Sequence, residues 1–308
     1  MAAIPTETVY GLAALATDEN ACRSIFSVKG RPLIDPLIVH VAAFSWVPAF
    51  AEPVDGLDNL AKTFWPGPLT VILPKRKTIP DLVTAGKSSV AIRIPDQKVA
   101  LSLLAEVDGP LAAPSANPFG YVSPTRPEHV AATFGEEVPF ILDGGSCRIG
   151  VESTILDMRN PCQPGLLRPG AIGRQQLEDC LSRSLRVSET VVSSGEAALA
   201  PGTMERHYSP GTPLFLFESE TPAEAEISRQ AIVFLQPPRK SPDPIPAHAH
   251  AYWWSESGDL TEIARNLFSL LRRLDEAGYA AIHCQLPAGE EPLAVAVRDR
   301  LRRAAAGK

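Results

Sequence analysis

Proline limits what this chain can fold into more than any other residue does. There are 30 in 308 residues, about twice the usual ~5%. Many of them punctuate short apolar runs, as in WPGPLTVILP (65–74), VAIRIP (90–95) and GPLAAPSANP (109–118). A proline fixes its own φ and cannot donate to a strand ladder, so each marks a strand end or a tight turn. Up to about residue 183 the chain therefore reads as short strands broken by turns, with a few helices between.

A helix is expected from Asp18 to Val28, with Asp18 as N-cap and Ala21, Cys22, Ile25 and Phe26 on one face. Gly30 suits the left-handed residue that ends it, leaving Lys29 and Arg31 on either side of the turn. Strands are expected at 36–41, 69–73, 90–94, 139–142 and 153–156, and helices at 57–64, 99–106, 127–134 and 174–181. Strands alternating with helices, some joined by tight turns, imply an α/β sheet of mixed direction. From about Val187 to Gly211 the composition is that of a linker. Its second half, Met204 to Tyr208, combines Arg, His and Tyr, which offer stacking and hydrogen bonding as well as an ordinary surface loop. A second unit follows: strands at 213–217 and 231–235, a Pro-rich loop over 236–250, a helix over 260–277, a strand at 280–284 and a basic helix over 292–305. In the long helix Ile263, Leu267, Leu270, Leu271 and Leu274 share a face. The expected division is 1–186, a linker over 187–212, and a small α/β domain over 213–308.

Composition narrows the function classes. With 45% hydrophobic and 21% charged residues, wholesale disorder is excluded. A formal charge of -6 argues against a dedicated nucleic-acid coat while leaving room for a local basic pocket. Five cysteines without a CxxC pair point to free thiols in a reducing compartment, with neither a disulfide framework nor a zinc site. His248-x-His250 lacks neighbouring ligands and reads as a solvated loop. No run approaches the roughly 20 apolar residues of a membrane span, and MAAIPTETVYGL lacks a signal-peptide layout. The expected location is the cytoplasm, with no membrane partner.

Four clusters could carry chemistry. Pro5 to Gly11 crowds hydroxyls, a carboxylate and a phenol around a turn. Lys29-Gly30-Arg31-Pro32, followed by Asp35 and His40, sets two cations around a helix-ending glycine, which suits a polyanion such as a triphosphate. Two solvated surface charges are the plainer reading. Ala112 to Pro118 has small residues that let a ligand approach backbone amides, with Ser115 and Asn117 to bond a phosphate or sugar; an Asn-Pro turn is the bland alternative. Asp143-Gly144-Gly145, Gly150 to Thr154 and Leu167 to Gly170 form Gly-rich corners, with Arg168 at a strand end. None follows a known phosphate fingerprint.

In combination the motifs say more. PTETVYGL, KGRP…DPLIVHV, WPGPLTVIL, VAIRIP, APSAN, the Ser-Pro-Thr at 123–125, DGG, GVESTILD and LLRPGAI stand in the order seen in the Sua5/YrdC/YciO family. APGTMERHYSPGTPL and GEEPLAVAVRDRLRRAA resemble the long Sua5 form, so the resemblance covers nearly the whole chain. It implies a YrdC-like twisted mixed sheet with a concave cleft, plus a small C-terminal α/β (Sua5) domain. It also implies a nucleotidyltransferase that converts L-threonine, bicarbonate and ATP to threonylcarbamoyl adenylate and pyrophosphate. That product would serve t6A modification of tRNA through a downstream threonylcarbamoyl transferase machinery, so tRNA would be met only indirectly.

By the same resemblance Lys29 and Arg31 would be catalytic, offsetting phosphate charge together with Mg2+ carried by the nucleotide. Arg31, Asp35, Ser89, Ser115, Asn117, Ser123, Arg168 and, from the linker, Tyr208 would face ATP. Thr8, His40, Arg93, the backbone of Ala113, and Ser153 would hold L-threonine, with Arg93 as the bidentate carboxylate partner. No side-chain nucleophile and no protein-held metal is expected. Asp35 stands where members often have Asn or His, and a carboxylate there would repel phosphate unless magnesium bridged it. Relatives usually carry about twenty further residues, including a strand, before P-T-E-T, where this sequence has only MAAI; either the start site is misassigned or the sheet lacks an edge. The competing readings are an RNA-binding module of YrdC type without catalysis, and a carbamoyl-adenylate-forming enzyme.

Overall fold

The computed structural model describes residues 1–107, 109–187, 199–202, 206–219, 229–237 and 250–306. Part of the linker motif (Met204 and Glu205), residues 188–198, and most of the Pro-rich loop with His248 lie outside the described residues.

The first unit is built on β1 (Ala2–Ile4), β2 (Gly11–Leu15), α1 (Glu19–Lys29), β3 (Ile38–His40), α2 (Leu57–Phe64), β4 (Leu69–Pro74), β5 (Ser89–Arg93), α3 (Lys98–Val107), β6 (Leu111–Ala112), α4 (Pro127–Phe134), β7 (Thr154–Asp157), β8 (Gly165–Arg168), α5 (Arg174–Leu181) and β9 (Arg186–Val187). The strands form one nine-stranded sheet in the order β1-β2-β6-β3-β5-β4-β7-β8-β9. It is mixed: β3 and β5, β4 and β7, and β8 and β9 run parallel, while the other pairs are antiparallel.

Strand alternation explains why this sheet has a cleft. Val39, Val71, Leu73 and Ile92 point to one face, where they pack with Cys22, Ile25 and Phe26 of α1, Leu57 and Leu60 of α2, and Leu177 of α5. Their alternates point the other way: Ile38 and His40, Thr70 and Ile72, Ala91 and Arg93. On that second face the apolar members meet Ile155 and Ala200 of the linker rather than a helix layer. Leu104 of α3 covers the β2–β6 end of this face, and the rest carries the polar residues.

Local signals set the helix ends. Asp18 caps α1 by accepting from the Asn20 and Ala21 amides. Gly30 closes it in the left-handed region at φ 58. Beyond the cap, Arg31 reaches the cleft while Lys29 turns to the loop at 115–117.

Two expectations are corrected at the N-terminal edge. MAAI does supply a strand, because Ala2–Ile4 pairs antiparallel with β2 as β1. The expected strand at 139–142 is instead a single bridge, Ala3 to Ile141. Pro139 has no amide to donate, so this segment gives only Leu142 N–H to the Ala3 carbonyl and accepts at Phe140 from the Ala3 amide. The short contact covers part of the β1 edge.

The second unit comprises β10 (Leu214–Phe217), β11 (Gln230–Phe234), β12 (His250–Trp253), α6 (Leu260–Glu276), β13 (Ala281–Gln285) and α7 (Pro292–Ala305). Its sheet, in the order β10-β13-β11-β12, is parallel throughout. Parallel strands need crossovers, and α6 supplies one, burying the expected stripe of Ile263, Leu267, Leu270, Leu271 and Leu274.

Polar contacts fasten α6 to the first unit. Arg272 donates to the Val122 and Ser123 carbonyls and to Thr133, and lies 4.9 Å from the centre of the Tyr121 ring. Asp275 accepts from Tyr121 Oη, from the Thr212 amide and hydroxyl, and from the Gly211 amide. Gly150, at φ +85, lets the two backbones touch; a Cβ there would lie 2.4 Å from Arg265 Cα. These ties fix where the end of the linker stands over the sheet.

Candidate active site

The polar face of the first sheet forms one cleft, and nine of the fourteen expected site residues line it: Thr8, Arg31, His40, Arg93, Ala113, Ser115, Ser153, Arg168 and Tyr208. They arrive from β3, β5, β8, the loops beside them and the linker, spanning two hundred positions of sequence. The other five stand behind the wall. Asp35 is fully buried against Arg31. Ser89 is buried at the start of β5, on the same strand face as Ala91 and Arg93. Asn117 donates to the Pro118 and Tyr121 carbonyls and shapes the turn. Ser123 donates to Glu152 at 2.6 Å.

Lys29 is the most instructive of the five. Its buried Nζ donates to the carbonyls of Ser115, at 2.5 Å, and of Asn117. The ammonium therefore ties the end of α1 to the Ala-Pro-Ser-Ala-Asn loop. Burial, then the Arg31 charge, hold its pKa well below the ordinary lysine range.

The cleft arginines are held from behind. Arg31 donates through Nε to the Asp35 carbonyl (3.0 Å) and through Nη2 to the Pro36 carbonyl (2.7 Å), and pairs with the Asp35 carboxylate at 2.9 Å. The carboxylate that raised concern is thus turned onto a guanidinium; burial pushes its pKa up while Arg31 opposes that rise. Arg93 pairs with Glu7 at 2.7 Å, and Glu7 also accepts from the Asp96 amide. Nε of Arg93 is buried without a hydrogen-bond partner, a donor still available to a carboxylate. Arg168 donates to the Ser153 carbonyl and hydroxyl (3.0 and 3.1 Å) and to the Pro201 carbonyl (2.9 Å). Ser153 is further bonded to Thr70 at 2.7 Å. Burial, and then the Arg93 charge, lower the His40 pKa to about 3. His40 is therefore neutral, with Nδ1 3.2 Å from the Ile38 carbonyl and the Leu111 backbone also bonded to the ring.

The linker fills the opening. Tyr208 lies on Phe268 of α6 (ring centres 5.6 Å apart, 26° between planes) and edge-on to His207 at 4.1 Å. Its hydroxyl is buried without a partner beside Gly202, where a Cβ would lie 2.3 Å from it. His207 is buried, and desolvation followed by the charges of Arg31, Lys29, Arg168 and Arg300 keep it neutral. With Pro201, Gly202, His207 and Tyr208 in place the cavity is about 40 Å3, against the ~300 Å3 or more of a small-molecule site.

Sequence reasoning assigned no role to Glu7, Glu152 or Arg300. Glu7 and Glu152 lie inside quoted motifs, and their position beside Thr8 and Ser153 was the available signal. Arg300 offered none beyond the Asp-Arg pair in its helix. Among the described residues no group of three or more His, Cys, Asp and Glu side chains could hold a metal ion, and no helix is long and apolar enough to cross a membrane.

This sheet and cleft define a YrdC-like unit, and the chain belongs to the Sua5/YciO/YrdC family. The family's model, described as "Telomere recombination", matches residues 1–170. A second model, "Threonylcarbamoyl-AMP synthase, C-terminal domain", matches 172–306, so the chain has the two-part Sua5 form. A threonylcarbamoyl-AMP synthase of Pyrococcus abyssi is 39% identical over 310 aligned positions, covering 99% of this chain and 90% of the relative. One from Schizosaccharomyces pombe is 34% identical, covering 98% and 84%. The crystal structure of P. abyssi Sua5 complexed with L-threonine superposes with a TM-score of 0.87 at 38% identity, covering 99% of this chain and 90% of that one.

Proposed function

We propose that this chain is a threonylcarbamoyl-AMP synthase: L-threonine, bicarbonate and ATP give threonylcarbamoyl adenylate and pyrophosphate. The observation that carries the reading is the convergence of Arg31, Arg93, Arg168, Ser115 and Ser153 on one cleft, in a chain 39% identical to such a synthase almost end to end. On this reading 1–186 is the catalytic unit, 187–212 a linker that acts as a lid, and 213–308 the Sua5 domain.

The chemistry asks for positioning and charge stabilisation rather than a protein nucleophile. The threonine amine attacks bicarbonate carbon; a C–N bond forms, water leaves, and an N-carboxylate remains. A carboxylate oxygen then attacks the α-phosphorus of ATP, the bond to the β-phosphate bridging oxygen breaks, and pyrophosphate departs. Arg93 would take the threonine carboxylate through its free Nε, while neutral His40, Thr8, Ser153 and the Ala113 backbone would complete its site. Arg31, Arg168 and Ser115 would meet the nucleotide, joined by Tyr208 as the lid closes. Lys29 and Asn117 would act by holding the Ser115 loop, Ser123 and Asp35 by holding their partners Glu152 and Arg31, and Ser89 as part of the adenosine-side wall.

The site does not fit a resident metal. The buried carboxylates Glu7, Asp35 and Glu152 are each taken by an arginine, so Mg2+ would arrive as part of MgATP, held by phosphate oxygens and water. The labile N-carboxylate gives the lid its purpose, since closure excludes water. The adenylate would pass to a threonylcarbamoyl transferase machinery that modifies tRNA in the cytoplasm.

The test is pyrophosphate release by the full 308-residue chain, with bicarbonate, MgATP and threonine. Release should require threonine and bicarbonate, and serine should substitute poorly. Release indifferent to threonine would overturn the assignment.

A further inference from the structure

We infer that Arg300 of α7 is a positioning residue for the cleft, so that the site in the first unit is complete only with the second unit docked on it. This rests on the reading of the cleft as a nucleotide site.

Arg300 is 1% exposed although it carries a charge, and buried arginines of this kind are rare unless paired. Nε donates to Glu152 Oε2 at 2.7 Å, and Nη2 to the Pro169 carbonyl at 3.0 Å, with the Glu152 carbonyl at 3.5 Å. Glu152 precedes Ser153, and Pro169 follows Arg168. The guanidinium therefore grips the chain beside both members of the Ser153–Arg168 contact that makes the cleft wall. Its Cζ also lies 5.2 Å from the centre of the Tyr208 ring. One planar group thus seats the lid residue and braces the wall beneath it.

Charge accounting gives the grip a consequence. Among the described residues three buried carboxylates stand at the cleft, and each has its own guanidinium: Glu7 with Arg93, Asp35 with Arg31, and Glu152 with Arg300. Arg168 is bonded to neutral oxygens, as is Lys29. The surplus positive charge that a polyphosphate requires thus depends on the cancellation of Glu152. The first two cancelling arginines belong to the first unit; the third comes from a helix 148 positions away. Asp299 also touches Arg300 at 2.5 Å, but it is shared with Arg303 at 3.0 Å. Among the described residues Glu152 forms no ion pair with a second arginine.

The experiment measures equilibrium ATP affinity in the full chain for Arg300→Met, Arg300→Lys, Glu152→Gln and the double variant Arg300→Met/Glu152→Gln, with KM and kcat for pyrophosphate release alongside. Arg300→Met should weaken ATP at least tenfold through an unbalanced Glu152. Arg300→Lys, which keeps the charge but loses the planar fork, should fall between the parent and Arg300→Met. The double variant should return to within threefold of Glu152→Gln alone, a rescue that a purely architectural arginine would not show. Should Arg300→Met fail to fold, the lysine and double variants carry the same comparison. Unchanged affinity in Arg300→Met, a loss in Arg300→Lys as large as in Arg300→Met, or a double variant no better than Arg300→Met would each overturn the inference. Absence of threonine-dependent pyrophosphate release in the parent would overturn the synthase reading instead, and the ATP affinities separate the two failures.

Discussion

Gly202→Ala isolates the part played by the linker. At φ +74 a side chain at this position is strained whatever space surrounds it, by roughly 1–2 kcal/mol. The added Cβ would lie 2.3 Å from Tyr208 Oη and 3.1 Å from Arg168 Nη1, the first more than 1 Å inside the ~3.5 Å where attraction begins. Tyr208 has little freedom to yield, because Phe268 lies against its ring and Arg300 stands 5.2 Å away. Overpacking of this sort costs about 1–3 kcal/mol. Together the two effects come to at least ~2 kcal/mol against the closed arrangement, or roughly 30-fold in its population at 1.4 kcal/mol per tenfold. The readout is kcat/KM for threonine-dependent pyrophosphate release, expected to fall about 30-fold. The melting temperature should fall by only a few degrees, since an opening linker relieves the overlap and limits the loss. A variant with parental kcat/KM would show that the seat of Tyr208 beside Gly202 is not part of the working state, and the lid reading would go with it.

Three further outcomes are expected. Tyr208→Phe removes a buried hydroxyl that has no partner, so thermal unfolding should show equal or greater stability, by about 1 kcal/mol, while KM for ATP rises several-fold; a clear loss of stability would show that the hydroxyl is satisfied. Gly150→Ala forces a Cβ to 2.4 Å from Arg265 Cα at φ +85, where neither backbone can give, so urea unfolding should register a loss of about 2–5 kcal/mol, and an unmoved midpoint would reject the close approach to α6. The His40 pKa is about 3 in the folded chain and near 6.5 unfolded. Below about pH 6.5 the unfolded chain therefore takes up a proton that the folded chain refuses, and stability falls as the pH drops toward 3, by up to about 1.4 kcal/mol per unit. A His40→Asn variant should show a shallower acid slope in urea titrations, and identical slopes would contradict the neutral, buried histidine.

Where the determinants were local, the sequence made them plain. The Asp18 cap and the Gly30 terminator bound α1 within a residue of the expected limits. The helices over 57–64, 127–134, 174–181 and 292–305 have the expected ends, because Pro, Gly and apolar spacing act within one or two turns. The apolar stripe of α6 is legible for the same reason. The segment at 139–142 misled, since its apolar residues look like a strand while Pro139 removes a donor. Motif order brought most of the cleft residues together, but could not say which of them face the ligand. Lys29 and Asn117 reach backbone groups behind the wall, an outcome set by how the loop at 113–118 folds over the end of α1. The ties from Arg272 to Val122 and from Arg300 to Glu152 join residues about 150 positions apart. No spacing rule reaches that far, and only the docking of α6 and α7 on the first unit creates these pairs.

The seat of Tyr208 on Phe268 and Arg300 also bears on inhibition. The aromatic ring over the entrance rests on helices that belong to the other half of the chain, so the two halves cannot drift apart without disturbing it. A compound that wedges between α6 and the loop carrying Gly150 would spread that seam and disable the enzyme without resembling ATP or threonine. Such a compound would owe its selectivity to a junction that single-unit relatives do not build.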